Sequence, residues 1–367
     1  MDGDKPSHTA KTGVKMRNST LIIRADAGAR IGTGHLMRCL ALAQGWQDRG
    51  GEVLFVSLCE SPVLRQRLLD EGIQVISVKD PYPAAGDWKC LSQILNQHPG
   101  AWVVVDGYHF DQHYQARIKE AGHPLLVIDD IAHLDHYYAD IVLNQNIHAT
   151  DLQYSCESYT KLLLGTKYVL LRREFLKWQG WNREIPEIAR KVLVTFGGAD
   201  RDNATLKVIE ALQQIGVEEI EAVVVVGAVN SHFKELQSAA QNSRIPIRLE
   251  TTIKNMPELM VWADVAVSAG GSTCWELAFT GLPNLVLVLA ENQRLIAKKL
   301  HDVGASVNLG WHADLSSVEI AQVLTNLIAE EKQRRLMAEI GQKLVDGNGV
   351  SNVLNEISGH LTLEVQL

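Results

Sequence analysis

His35 follows a loop built on Gly28, Gly32 and Gly34 and opens a run in which apolar residues (Leu36, Cys39, Leu40, Ala43) recur at helical spacing. A ring in the first turn of a helix sits among unpaired main-chain N–H groups and the positive end of the helix dipole. Both disfavour the protonated imidazole. Such a histidine is suited to accept a proton at neutral pH. The same N–H groups favour an anion such as a diphosphate, so one short segment can hold both a base and a phosphate site. The plainer alternative is that the glycines shape a turn and His35 caps the helix.

Other residues of chemical interest stand where apolar runs end. Asp26 closes the run before the glycine loop, Asp106-Gly107-Tyr108-His109 closes a second, and Asp129-Asp130 closes a third. Gly197-Gly198 and Gly270-Gly271-Ser272-Thr273 each follow an apolar run and precede a helical pattern. One glycine pair is an ordinary turn signal; two such loops in one half of the chain point to phosphate binding. Thr273 and Glu276 have capping-box spacing, so Glu276 either bonds a main-chain N–H or is free to grip adjacent hydroxyls such as those of ribose.

The histidine pairs His109/His113 and His133/His136 have helical spacing but no convincing third ligand and no HExxH pattern. They read as solvated or locally bonded, and no metal is expected. Asp129-Asp130 resembles a carboxylate metal motif, with a helix cap as an equal alternative. Gly32-Thr33-Gly34 begins like a dinucleotide fingerprint, but Met37 stands where close helix–strand packing needs a third glycine. The P-loop lysine is also absent, and no cofactor is expected.

The elements that must carry these residues alternate. Strand-like runs fall at 21–23, 52–58, 73–78, 102–106, 125–129 and 141–143, with a helix opened by Ser61-Pro62 and running to about 71. Residues 80–87, with two prolines and a glycine, read as loop. The stretch from about 150 to 190 is less regular, with a linker at 172–190. The pattern then restarts, with strands at 191–196, 221–226, 247–249, 264–268, 285–289 and 307–309. Helices are expected at 202–214, 231–241, 256–262 and 274–280, from 291 onward, and after the last strand to about 357.

Buried strands alternating with helices indicate parallel sheets covered on both faces, with ligands at the strands' carboxyl ends. The expectation is an α/β chain of two Rossmann-like domains, 19–171 and 191–350, facing across a cleft. A polar tail (1–18) and a C-terminal tail or helix (351–367) flank them.

Composition bounds the partners. The 367 residues carry a net charge of −8 with scattered Lys and Arg, which argues against nucleic-acid or anionic-membrane surfaces. Five cysteines, odd in number and far apart, suit reduced thiols and a cytoplasmic location rather than a disulfide frame. No apolar run approaches the ~20 residues of a membrane helix. Residues 1–18 lack the apolar segment of a secretion signal, are left outside the fold, and include a second candidate start at Met16.

Seven segments together resemble one family: RADAGARIGTGHLMRC, VVVDGYH, LVIDD, LLGTKYVLLRREF, VTFGGADRDN, SAGGSTCWELA and AENQ. The likeness, over about residues 20–310, is to the hydrolases of pseudaminic acid biosynthesis that act on UDP-2,4-diacetamido-2,4,6-trideoxy-β-L-altropyranose. These are related in fold to MurG-type glycosyltransferases of the GT-B architecture. The resemblance implies that His35 is the catalytic histidine, Tyr108 an active-site tyrosine and Glu276 the ribose-binding acid. Asn292 and Gln293 would lie near the substrate and Ser272 and Thr273 near the diphosphate. Asp26 belongs to the opening motif and is carried as a catalytic candidate. Gly32, Gly34, Gly197 and Gly198 are expected at the substrate. A monomer is the default, and no fused acetyltransferase is expected.

The implied reaction is water attack on the anomeric carbon, with His35 as base, UDP leaving and inversion at C1. It needs no pair of glycosidase carboxylates, because the diphosphate is already a good leaving anion. A GT-B glycosyltransferase, with an acceptor hydroxyl in place of water, and a non-catalytic UDP-sugar-binding protein are the competing readings.

Overall fold

Thirteen parallel strands form two separate sheets in a computed structural model that describes residues 16, 19–28, 31–198, 200–227, 230–251, 253 and 255–364. The first sheet holds β1 (Thr20–Ala25), β2 (Glu52–Ser57), β3 (Gln74–Ser77), β4 (Trp102–Asp106), β5 (Leu125–Ile128), β6 (Ile141–Asn144) and β7 (Lys161–Leu164). Their order is β3-β2-β1-β4-β5-β6-β7. The helices between them are α1 (Gly34–Asp48), α2 (Pro62–Asp70), α3 (Ala85–Gln97) and α4 (Gln112–Glu120). Ser61 caps α2 by accepting the Leu64 N–H, with Pro62 at the first helical position, as the sequence indicates.

A short helix α5 (Arg173–Leu176) leads to the second lobe. There β8 (Lys191–Thr195), β9 (Glu221–Val225), β10 (Ile247–Glu250), β11 (Val265–Ala269), β12 (Asn284–Val288) and β13 (Val307–Trp311) lie in the order β10-β9-β8-β11-β12-β13. The helices are α6 (Ala204–Leu212), α7 (Phe233–Gln241), α8 (Met256–Trp262), α9 (Thr273–Phe279), α10 (Arg294–Asp302), α11 (Ser317–Ala329), α12 (Glu331–Leu344) and α13 (Gly349–Glu364).

Strands such as Trp102–Asp106 and Asn284–Val288 are buried along their whole length, so their apolar runs are continuous rather than alternating. Each sheet has an apolar core on both faces. In each, strand order reverses beside the first strand, between β1 and β4 and between β8 and β11. A crevice opens at the carboxyl ends of such a strand pair. The segments that follow β1, β4, β8 and β11 carry His35, Tyr108, the Gly197-Gly198 pair and Gly270–Thr273, so the topology gathers the expected site by construction.

Two expectations need correction. The stretch expected as irregular contains β7, an edge strand in which Leu162 is exposed and only Leu163 fully buried, too weak a pattern to read as a strand. Met16, left outside the fold with the tail, is buried in the first lobe's core and bonds main chain to Arg49; the rest of 1–18 lies outside the described residues. The helix expected near the C-terminus is present as α13. α13 returns to the first lobe, where Val353, Leu354 and Ile357 join the core beside α1. Added bulk at Gly45 of α1 would meet Val350, so that glycine permits the close crossing.

Candidate active site

A cleft of about 1170 Å³ separates the lobes, larger than the ~300–1,000 Å³ of ordinary small-molecule sites. His35, in the first turn of α1, lines it and is 9% exposed. Its Nδ1 lies 2.6 Å from Oδ1 of Asp106, the fully buried last residue of β4.

Arg38, one turn along α1, braces that carboxylate. Its Nε donates to Asp106 Oδ2 (2.6 Å) and its Nη2 to Asp106 Oδ1 (2.7 Å). Its Nη1 and Nη2 also reach the two oxygens of Asp130, at 2.7 and 3.0 Å. Burial pushes the carboxyl of Asp106 up, but Arg38 and then His35 outweigh it and hold it well below the usual range. Asp130 is held at about 2, burial again being overcome by Arg38. An ionised carboxylate can only accept, so the proton between Asp106 and His35 belongs to Nδ1. In the neutral ring that tautomer leaves the lone pair on Nε2.

Tyr108, two residues past β4, stands edge-on to His35 with ring centroids 5.1 Å apart. Its hydroxyl donates to Asp130 Oδ2 (2.6 Å) and accepts from Asn292 Nδ2 of the second lobe (2.9 Å). Burial and the Asp130 charge both raise the phenol far above its ordinary range, so it stays protonated. The Tyr108–Asn292 bond ties the lobes together beside the base. Gln293 folds back, its Oε1 accepting the Leu289 N–H (2.9 Å), and so shapes the loop that presents Asn292.

The glycine loops of the two lobes meet here. A Cβ on Gly198 would lie 2.4 Å from Cγ2 of Thr33, and one on Gly34 would lie 3.4 Å from Oγ of Ser272. Gly197 has φ of +77°, which L side chains rarely adopt. Gly32, Gly34, Gly197, Gly198, Ser272 and Thr273 all line the cleft. Main-chain atoms can therefore approach a bound anion closely from both lobes.

Glu276 lines the cleft on α9, but the capping box is not formed. Ser272 is the N-cap residue of α9, which has no side-chain cap bond. Glu276 Oε1 lies 2.9 Å from Nη2 of Arg172 instead. Burial pushes this carboxyl up, and Arg172 opposes the shift.

Asp26 is not brought to the cleft. Arg24 and Asp26, two residues apart along an extended chain, share a face, and Arg24 is wholly buried on it. Asp26 pairs with Arg24, accepts the Leu58 N–H (2.7 Å) and lies 3.0 Å from Nε2 of His109. Asp87 completes the ring around Arg24. The structure thus gives Asp26 a place in a buried ionic network none of whose members lines the cleft.

Of the two histidine pairs, His109 is bonded to Asp26, His133 to Asp129, and His136 to Ser155 and Glu157. Among the described residues no group of three or more His, Cys, Asp or Glu side chains is placed to hold a metal ion. Sequence reasoning missed Arg38 and Arg172 as site residues, and it placed Asp106 and Asp130 at strand ends without giving either a role beside His35. The available signal was Arg38 three residues after His35, on one helix face, with two strand-end carboxylates to receive it.

Residues 191–348 match the model of the glycosyltransferase family 28 C-terminal domain. The chain is 28% identical over 283 residues to the uncharacterized protein MJ1062 of Methanocaldococcus jannaschii, covering 75% of this chain and 56% of that one. It is 27% identical over 251 residues to the UDP-2,4-diacetamido-2,4,6-trideoxy-β-L-altropyranose hydrolase of Campylobacter jejuni, covering 65% and 81%. Among solved structures, MurG of Acinetobacter baumannii superposes with a TM-score of 0.61 at 17% identity, over 93% of this chain and 99% of that one. Among the described residues no helix is long and apolar enough to cross a membrane. With two parallel Rossmann-like lobes facing across a cleft, the chain has the GT-B fold, and its second lobe is similar to the C-terminal domain of glycosyltransferase family 28.

Proposed function

We propose that the protein is a nucleotide-sugar enzyme that hydrolyses UDP-2,4-diacetamido-2,4,6-trideoxy-β-L-altropyranose, breaking the bond between the anomeric carbon and the UDP oxygen. The observation that carries this reading is the Asp106–His35 pair. A carboxylate fixes Nδ1–H, so the ring offers Nε2 as a base in a cleft whose other wall is made of glycine loops. Nε2 takes a proton from water as the water oxygen bonds to C1. The electron pair of the breaking C–O bond leaves with the diphosphate. General-base help of this kind is worth ~10²–10⁴-fold in rate.

The developing charge on the leaving oxygen needs donors more than a proton, and main-chain N–H groups of the facing loops can supply them. Glu276, steadied by Arg172, is assigned to the ribose hydroxyls. Tyr108, Asn292 and Gln293 are assigned to the sugar side, and Ser272 and Thr273 to the diphosphate side. Attack from the face opposite UDP predicts inversion. The similarity to the Campylobacter hydrolase supports this choice of substrate.

The family 28 match favours a second reading, transfer of the sugar to an acceptor hydroxyl. Incubating the protein with the UDP-sugar and no acceptor separates them: hydrolysis releases UDP and free sugar, whereas a transferase leaves the substrate intact. A non-catalytic binding protein would bind UDP saturably and release none from any candidate sugar.

A further inference from the structure

Beyond β5 the chain turns around a single carboxylate. Oδ2 of Asp129 accepts the N–H groups of Ile131 (3.0 Å) and Ala132 (2.6 Å) and the hydroxyl of Tyr154 (2.8 Å). Oδ1 accepts the Tyr137 hydroxyl (2.9 Å) and lies 2.8 Å from Nδ1 of His133. Ala132 has φ of 52°, a left-handed conformation that a residue with a Cβ keeps only where its surroundings impose it. The result of this construction is a fixed His133 ring.

That ring meets Tyr108 edge-on, with centroids 5.7 Å apart and planes at 88°. Tyr108 meets His35 in the same way, at 5.1 Å and 83°. The tyrosine therefore touches two imidazoles, each tied through Nδ1 to an aspartate, while its hydroxyl is tied to Asp130 and Asn292. His133 is not among the residues lining the cleft, so any influence it has on a ligand passes through Tyr108.

We propose that His133 is a positioning residue: pinned by Asp129, it fixes the Tyr108 ring beside His35 and thereby sets the pose of the sugar at its reacting carbon, without bearing on the nucleotide. This rests on the reading that Tyr108 faces the sugar. An edge-on aromatic contact supports a rate effect of about 3- to 10-fold, and a small misplacement of the sugar costs rate rather than nucleotide affinity.

The test measures kcat and KM for the UDP-diacetamido sugar, and Kd for UDP, in wild type, His133→Ala, His133→Phe, Tyr108→Ala and the double variant His133→Ala/Tyr108→Ala. His133→Ala is expected to lower kcat/KM about 3- to 10-fold with UDP affinity within about twofold of wild type. His133→Phe, which keeps a ring against Tyr108 but loses the bond to Asp129, is expected to recover part of the loss. The double variant should be no worse than Tyr108→Ala. Unchanged kcat/KM in His133→Ala overturns the proposal. So does an equal loss in His133→Phe with a matching fall in Tm, which would mean the turn alone matters. Additive losses in the double variant overturn it as well. An unaffected Tyr108→Ala removes the reading of Tyr108 itself, a failure visible independently of His133.

Discussion

Nδ1 of His35 lies 2.6 Å from Oδ1 of Asp106, joining the first turn of α1 to the end of β4 across the point where strand order reverses. The same oxygen accepts from Arg38 at 2.7 Å, so the acceptor is itself held in place. Replacing Asp106 by Asn offers Nδ1 an amide that can also donate, and the ring can adopt the wrong tautomer. Asp106→Asn is expected to lower kcat by at least ~10²-fold with UDP affinity unchanged. Steady-state kinetics beside UDP titration calorimetry checks this, and equal losses in both would contradict it.

Removing the ring tests the base directly. His35→Leu is expected to lose about 10²–10⁴-fold in kcat while the protein remains folded and binds UDP. A folded variant with turnover within about threefold of wild type would show that His35 is not the base.

Acid stability follows from the carboxylates around Arg38. Asp130 is held at about 2 and Asp106 well below the ordinary 3.8, burial opposing the shift and Arg38 overcoming it. Both are lower folded than unfolded, so the unfolded chain binds more protons between about pH 2 and 4 and stability rises with pH there. The stabilisation is complete above the unfolded value and is lost as pH falls through the folded one. Urea midpoints measured across this range should fall steeply for wild type. The fall should be shallower for Asp130→Asn, itself destabilised at pH 7 because it leaves Arg38 partly unpaired in the interior.

The glycine contact between lobes gives a steric prediction. Gly198→Ala puts a methyl group 2.4 Å from the Thr33 side chain, which must move or push the lobes apart. Loss of alignment between base and nucleotide is expected to lower kcat/KM about tenfold or more with little change in Tm. Thr33→Ala in the same chain should restore part of it. No recovery in the double variant would show that the clash lies elsewhere.

Much of the fold was legible because its buried strands are continuous apolar runs ended by glycine or aspartate. His35, Tyr108, Glu276 and Asn292 were found through motif and resemblance, and the structure brings all four to one cleft. Asp26 was misplaced because sequence shows that it follows a strand but not which face it turns to. The buried Arg24 two residues earlier decides that. Arg38, and the role of Asp106 beside it, were missed for a related reason. Their meeting depends on β1 and β4 being neighbours, a pairing between residues 68 apart in the chain that no local pattern encodes. β7 went unread because an edge strand with one fully buried side chain has almost no period to detect.

The most direct measurement is proton NMR of the protein mixed with UDP-2,4-diacetamido-2,4,6-trideoxy-β-L-altropyranose in the absence of any acceptor. A single water attack by the Nε2-assisted route predicts UDP release and a first-formed free sugar of inverted anomeric configuration, which then mutarotates. A first product of retained configuration, or a substrate signal that does not decay until an acceptor is added, would contradict it.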